Sequence, residues 1–223
     1  MGILGGTFNP PHLGHLALAR QALSELGLTR VLVMPAHTPP HKAAHDSPSG
    51  GSEGGGDPGP QHRLRMCQLL VARQEGVSAC ALEIERRGPS YTIDTLTAIH
   101  ASHPQARLTF IVGADTAGTL ASWRQPAELL ELADLAVAAR PGSAGRERVL
   151  DTVAGVARRG NAPAVTFLHM PAIDVSSSQV RDRAARGEPI DDLVGPAVAA
   201  YVAEHRLYHA PVVAGAHTQA RGR

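Results

Sequence analysis

The sequence predicts a doubly wound α/β fold, a mostly parallel sheet covered by helices on both faces in a three-layer α/β/α arrangement. Three observations predict it. Strand-like apolar runs recur along the 223 residues, helix-period stretches lie between most of them, and the first three segments make a βαβ unit. Near-continuous apolar strands alternating with helices belong to parallel sheets buried on both sides.

The elements follow in order. MGIL starts the chain as a strand, and apolar residues Leu16, Ala19, Leu23 and Leu26 then recur at helical period until Gly27 stops them. RVLVMP (30–35) is the second strand. VSACALEI (77–84), RLTFIVGA (107–114), DLAVAA (134–139) and AVTFLHM (164–170) are the further strands. HRLRMCQLLVARQ, TIDTLTAIHASH, PAELLELA and GRERVLDTVAGVARR supply the intervening helices. SSSQVRDRAARG is a capped helix start, and PAVAAYVAEHRLY a closing helix with proline in its first turn. One domain is expected over 1–208, with residues 176–208 as its C-terminal helical part. The Gly/Ser/Pro-rich insertion at 45–60 and the tail at 209–223 are expected to be disordered, because neither can bury enough apolar surface to offset the entropy of ordering.

Composition narrows the function. With 21 Lys plus Arg against 20 Asp plus Glu the formal net charge is +1, so no overall basic field favours nucleic acid or an anionic membrane. Any phosphate binding must be local. Cys67 and Cys80 have neither CxxC nor zinc-finger spacing and are read as core thiols. No apolar run approaches the ~20 residues of a membrane span, and Gly6 stands where a myristoylation signal requires Ser or Thr. The expectation is a cytoplasmic protein, and homo-oligomerisation stays open.

The stretch GGTFNPPHLGHL (5–16) is where chemistry is expected. A glycine pair closing the first strand permits a sharp turn and lets backbone N–H groups approach a ligand. Asn9 as N-cap, followed by two prolines, would open a helix there, and a helix N-terminus behind a glycine turn is an anion site. The spacing fits neither GxxxxGK[ST] nor GxGxxG. His12 and His15 fall at i and i+3, side by side on one helix face, where imidazole N–H groups can reach phosphate oxygens. By themselves they also fit a zinc pair, with His37, His41 and His45 nearby in sequence, or two ordinary helix histidines.

Two separated motifs carry a resemblance. GGTFNPPHLGH resembles the (T/H)xGH signature of the nucleotidyltransferase superfamily, and VSSSQVR (175–181) its ISSTxxR motif, with Ser178 where threonine is usual. PPHK (39–42), GPSYTIDTL (88–96), FIVGAD (110–115), Trp123 and ARPG (139–142) are similar to the bacterial nicotinate-nucleotide adenylyltransferases. The resemblance spans residues 1 to about 208, except the insertion, and implies a Rossmann-like nucleotidyltransferase fold with strand order 3-2-1-4-5. It implies transfer of AMP from ATP to nicotinate mononucleotide, giving deamido-NAD and pyrophosphate.

By that resemblance His12, His15 and Arg181 carry catalysis. Gly5, Gly6, Thr7, Phe8, Lys42, Gly113, Asp115, Ser177 and Ser178 would bind ATP, and Ser90, Tyr91, Thr92, Trp123 and Arg140 nicotinate mononucleotide. Asp115 would accept from a ribose hydroxyl, with helix capping as its alternative. Trp123, the single tryptophan of a chain with 3% aromatic residues, would stack on the pyridine ring. A helix starting at Ser90–Thr92 would favour the pyridine carboxylate over a carboxamide. Mg²⁺ is implied as the counter-ion of ATP, without a dedicated protein metal site. The alternatives are a related adenylyltransferase acting on nicotinamide mononucleotide or phosphopantetheine, and a nucleotide sensor without turnover.

Overall fold

The computed structural model describes residues 1–40, 56–139, 145–158, 163–170 and 174–209. The chain runs through β1 (Gly2–Gly6), α1 (Leu13–Glu25), β2 (Val31–Pro35), α2 (Pro60–Val71), β3 (Val77–Ala79), α3 (Leu82–Arg86) and α4 (Thr92–Ser102). It continues through β4 (Leu108–Gly113), α5 (Ala114–Ala117), a 3-10 turn (Leu120–Ser122), α6 (Pro126–Leu132), β5 (Ala133–Ala139) and α7 (Gly145–Val156). β6 (Val165–His169), α8 (Ser177–Ala185), α9 (Asp191–Val194) and α10 (Pro196–Glu204) complete it. Lys42, Arg140, most of the 45–60 insertion and the tail from residue 210 lie outside the described residues, as do His41 and His45.

The described strands form one parallel sheet in the order β3-β2-β1-β4-β5-β6, the implied order with a sixth strand added at the β5 edge. Strand side chains alternate between the faces, so each strand feeds two cores. Leu4, Val31, Val33 and Ile111 enter the core under α1, α2, α8 and α10. Ile3, Leu32, Met34, Phe110 and Val112 enter the core under α4, α6 and α7. Each such side chain contributes about 1.5–3 kcal/mol of transfer free energy, which is why alternation along β2 alone commits both layers. Helix α1 sits close on the sheet because Ala19 and Ala22 are fully buried. It ends where Gly27 turns to φ +57 and the Leu28 N–H reaches back 3.0 Å to the Leu23 carbonyl.

The sheet opens where the strand order reverses. β1 pairs with β2 along its whole length, Gly2↔Val31 to Gly6↔Pro35, but with β4 only from Gly2↔Thr109 to Leu4↔Ile111. Beyond Leu4 the two central strands part, leaving a crevice at their carboxyl ends, the usual ligand position in open α/β sheets.

Several expectations are corrected. VSACALEI is not one strand: the Cys80 N–H makes a bond to the Val33 carbonyl at 2.9 Å, after which Ala81 adopts a helical conformation and caps α3. β1 runs on through Gly5 and Gly6, and the chain turns instead at Phe8, with φ +53. Asn9 does not cap α1; His12 does, and the two prolines lie in the connecting loop. Residues 56–60, the end of the insertion, are placed, with Pro60 at the start of α2. Among the described residues no helix is long and apolar enough to cross a membrane.

Candidate active site

The loop between β1 and α1 is held by side chains from far along the chain. Arg63 on α2 donates to the Thr7 carbonyl at 2.7 Å. Ser177 Oγ donates to the Pro10 carbonyl at 2.8 Å, and Arg181 Nη1 to the Asn9 carbonyl at 2.8 Å. Tyr208 Oη donates to Asn9 Oδ1, also at 2.8 Å. The two signature motifs are thus bonded directly to each other. In the second, Ser176 caps α8 by accepting from the Gln179 N–H, and Ser178 Oγ accepts from Arg181 Nη2 at 3.1 Å. Both terminal nitrogens of Arg181 still carry a second N–H for a ligand.

His12 and His15 lie together as their spacing predicts, with ring centroids 3.7 Å apart. The His12 backbone N–H donates to His15 Nδ1 at 3.2 Å. A neutral His15 therefore carries its proton on Nε2 and presents that N–H as a donor. Phe8, buried, meets the His15 ring edge-on at 4.8 Å and fixes its orientation rather than lining the cavity. His12 Nδ1 is buried without a hydrogen-bond partner. Gly14 explains the glycine of the motif: a Cβ there would meet Val175 at 3.0 Å and His12 Nδ1 at 3.1 Å, with the ring and the second motif on either side. Burial pushes His12 down to about 4. Burial, with His12 alongside, holds His15 well below its ordinary value, so both rings are neutral donors at pH 7.

Across the crevice opens a cavity of about 600 Å³. Gly5 and Gly6 line it from β1, Thr7 from the loop that follows, Ser90, Tyr91 and Thr92 from the start of α4, and Trp123 from the end of the 3-10 turn. Helix α4 begins at Thr92 with Tyr91 as N-cap, so its first N–H groups stand at the cavity wall. Ser90 is buried and structural in part: its Oγ accepts from the His37 N–H and its N–H donates to the Thr38 carbonyl, both at 2.9 Å. Trp123 is held by Nε1–H to Thr119 Oγ1 at 3.0 Å and packs edge-on against Phe110. Gly113 caps α5, and Asp115 stands in its first turn with an exposed carboxylate that caps nothing. His12, His15, Asp115 and Arg181 border the crevice loops rather than this cavity. Among the described residues no three His, Cys, Asp or Glu side chains gather as metal ligands.

Besides Tyr208, three residues escaped the sequence reading. Arg63, fully buried, also donates to the His37 carbonyl at 2.9 Å and pairs with Asp57 at 2.8 Å, so one guanidinium ties the β1 and β2 loops to the end of the insertion. A signal existed: Arg63 shares the core-facing i, i+3, i+4, i+7 stripe with Met66, Cys67 and Leu70. Glu83 lines the cavity, buried, and accepts from Thr95 Oγ1 at 2.6 Å; burial raises its carboxyl. Arg124 lines the cavity beside Trp123, and nothing in its sequence context marks it.

Comparison with known proteins agrees with this architecture. The cytidylyltransferase-like family model matches residues 3–183. A protein of Symbiobacterium thermophilum named "Probable nicotinate-nucleotide adenylyltransferase" is 37% identical, covering 93% of this chain and 94% of its own. One of the same name from a Synechococcus species is 40% identical, with 95% of each covered. The structure of Plasmodium falciparum nicotinic acid mononucleotide adenylyltransferase complexed with NaAD superposes with a TM-score of 0.68 at 17% identity, over 93% of this chain and 96% of that one. The same protein complexed with APC gives 0.70 at equal identity and coverage. At that identity the likeness establishes the fold.

Proposed function

We propose how the residues of this chain, a member of the cytidylyltransferase-like family and of its nicotinate-nucleotide adenylyltransferases, divide the work. The enzyme transfers AMP from ATP to nicotinate mononucleotide, forming deamido-NAD and pyrophosphate in NAD biosynthesis. The observation that carries the assignment of roles is the direct bonding of the two motifs at Asn9 and Pro10, beside a cavity walled by Ser90, Tyr91, Thr92 and Trp123.

The acceptor's 5′-phosphate has a second pKa near ~6 and is a dianion at neutral pH. One of its oxygens bonds to the α-phosphorus of ATP as the bond to the β-phosphate oxygen breaks, and pyrophosphate leaves with that electron pair. No proton has to be removed from the nucleophile. The protein's task is to align two anions and stabilise charge on the α-phosphate and the leaving group. His15 Nε2–H and His12 serve the α-phosphate and its neighbours. Gly5, Gly6 and Thr7 offer backbone and hydroxyl donors, and Arg181 with Ser177 and Ser178 holds the β- and γ-phosphates through its planar fork. Neutral imidazoles are less costly to keep dry than imidazolium ions, and the arriving triphosphate raises their affinity for a proton. Phe8 and Gly113 shape the nucleotide site, Asp115 accepts from a ribose hydroxyl, and Lys42 adds a cation from outside the described residues. Mg²⁺ enters with ATP as part of the substrate and is held by phosphate and water.

On the acceptor side Trp123 stacks on the pyridine ring, and the N–H groups of the first α4 turn, from Thr92 on, take its carboxylate, with Tyr91 capping that turn and Ser90 holding the β2 loop in place. Arg140 is assigned to the same substrate from its motif. The cytoplasm, where ATP is made and spent, is the proposed setting. Pyrophosphate release with MgATP tests the reading: nicotinate mononucleotide is expected to be the preferred acceptor, and equal kcat/KM with nicotinamide mononucleotide would remove the preference. His15→Ala is expected to lower kcat by about 10² to 10³, the effect of losing one donor to developing charge. A loss under about threefold, well below that range, would take the role from His15.

A further inference from the structure

Arg124 stands directly after Trp123, with its side chain 52% exposed. Its guanidinium carbon lies 4.9 Å from the centroid of the Tyr91 ring, and Nη1 is 3.5 Å from Asp94 Oδ2. Tyr91 is the N-cap of α4 and Asp94 sits in its first turn. The guanidinium therefore rests against the positive end of α4, on the cavity wall beside the tryptophan. Two charged side chains line this cavity among the described residues, Arg124 and Glu83. Glu83 is buried, holds a hydroxyl at 2.6 Å, and is biased towards its neutral form by that burial. Arg124 is the one cation among the described residues that line the cavity. Its pairing with Asp94 is long and half-exposed, and such pairs hold weakly, so a better carboxylate partner can displace it.

We propose that Arg124 is a specificity-determining residue of the acceptor cavity: its guanidinium pairs with the carboxylate on the acceptor's pyridine ring and widens the discrimination against a carboxamide. The proposal rests on the reading of nicotinate mononucleotide as acceptor and adds a residue to it. Backbone N–H groups at a helix start favour a carboxylate over an amide oxygen only by partial charge, whereas a guanidinium offers a full charge and two parallel donors. A carboxamide puts an NH₂ group where one of those donors points. The cation–π seat on Tyr91 keeps the guanidinium at the cavity wall while it waits, and limits the entropy lost on pairing.

The test compares the full chain with R124Q, R124K and R124E, measuring kcat and KM for nicotinate and nicotinamide mononucleotides at two ionic strengths. R124Q is expected to lower kcat/KM for the nicotinate form by about three- to tenfold, mainly through KM, the size of a partly exposed charge-assisted contact. Turnover of the nicotinamide form should stay within about twofold, because the amide gains nothing from the charge. R124K should keep part of the discrimination and R124E should lose more than R124Q. Salt should erode the preference of the native protein and leave that of R124Q unchanged. Equal losses with both acceptors would overturn the proposal, since they would put Arg124 on the phosphate common to the two or on the fold. An unchanged ratio in R124Q, with the native protein active, would overturn this proposal alone. A native protein idle with nicotinate mononucleotide would overturn the acceptor reading and the proposal together.

Discussion

On the side of the crevice proposed to hold the phosphates, four side chains from distant parts of the chain grip one short loop: Arg63 on Thr7, Ser177 on Pro10, and Arg181 and Tyr208 on Asn9, at 2.7 to 2.8 Å. On the proposed acceptor side, the Trp123 side chain makes one hydrogen bond, at the end of one turn of 3-10 helix, and Arg124 rests half-exposed on Tyr91. Charge reorganises at the α-phosphate, where donors must already be in place because moving them costs free energy at the moment of reaction. An acceptor that enters, stacks and leaves, as proposed at Trp123, suits side chains on short elements with few tethers. The preference for rigidity thus follows the position of the developing charge, and each half can be tested against the other.

The largest effect is expected at Arg63. Arg63→Met keeps an apolar stem in the core but strips both loop carbonyls, Thr7 and His37, of their donor and leaves Asp57 without this partner. Breaking a buried charged network in this way costs about 3–5 kcal/mol. The Asp57 side chain is 26% exposed and can recover water, which places the expected loss at the lower end. Urea unfolding measures it. A loss under about 1 kcal/mol, the scale of an exposed pair, would mean the loop holds without its strap, and the contrast between the halves would fail.

How much of this was legible differs between the halves for a physical reason. Strand and helix identity follows from hydrophobic period, and β1, β2, β4, β5 and β6 were readable because each is apolar on both faces. β3 is an edge strand of three residues, too short for period to separate it from the helix that follows, so its length was misjudged. The pairing of His12 with His15 was legible because the motif holds them three residues apart, within one turn of helix. Tyr208 left no such pattern, because its partner is an amide 199 residues away; Arg63 showed only its place on a core-facing stripe, and its carbonyl partner 56 residues away left no mark. Asn9 was misread for the same reason: its side chain accepts from Tyr208 instead of capping the helix beside it. Arg124 has no signal at all, since an arginine before Gln-Pro reads as ordinary surface.

The next effect should give the two halves opposite pH signatures. His12 falls from an ordinary value of 6.5 to about 4 on folding because burial disfavours its charged form. Between those values the unfolded chain binds a proton that the folded chain does not. Stability therefore falls as pH drops through 6.5 and levels off below about 4, a loss of about 3 kcal/mol for the whole shift. His15 acts in the same direction. Glu83 acts in the other: burial raises its pKa, the folded chain keeps the proton longer, and stability declines as pH rises through its ordinary 4.5. Unfolding midpoints measured from pH 4 to 7 check both signs. His12→Asn should flatten the slope above pH 5, and Glu83→Gln should remove the opposing slope at the acid end. ATP should also flatten the upper slope by raising proton affinity at the histidines. A slope unchanged in His12→Asn would show that the histidine pair is not dry in the folded protein.

The smallest effect is expected at Tyr208, and it separates order from catalysis. Tyr208 is 6% exposed at a backbone φ of +65, and its hydroxyl reaches Asn9 Oδ1 from beyond the last helix. Tyr208→Phe keeps the ring and its burial and deletes one neutral hydrogen bond, worth about 1 kcal/mol. For a chain of this size that lowers Tm by about 2–4 °C. Arg181 and Ser177 still hold the backbone of the same loop, so kcat should stay within about twofold, or about 0.4 kcal/mol in the barrier, less than half of the loss in stability. Thermal unfolding and pyrophosphate release, measured on the same preparation, give the two numbers. A drop in kcat larger than the loss of stability would mean that the loop's rigidity is itself rate-setting, with the Asn9 side chain as well as its carbonyl needed to keep the histidines aimed. The phosphate side would then be a poised arrangement with no redundancy, and the contrast with the adaptable acceptor side would be sharper than four parallel contacts imply.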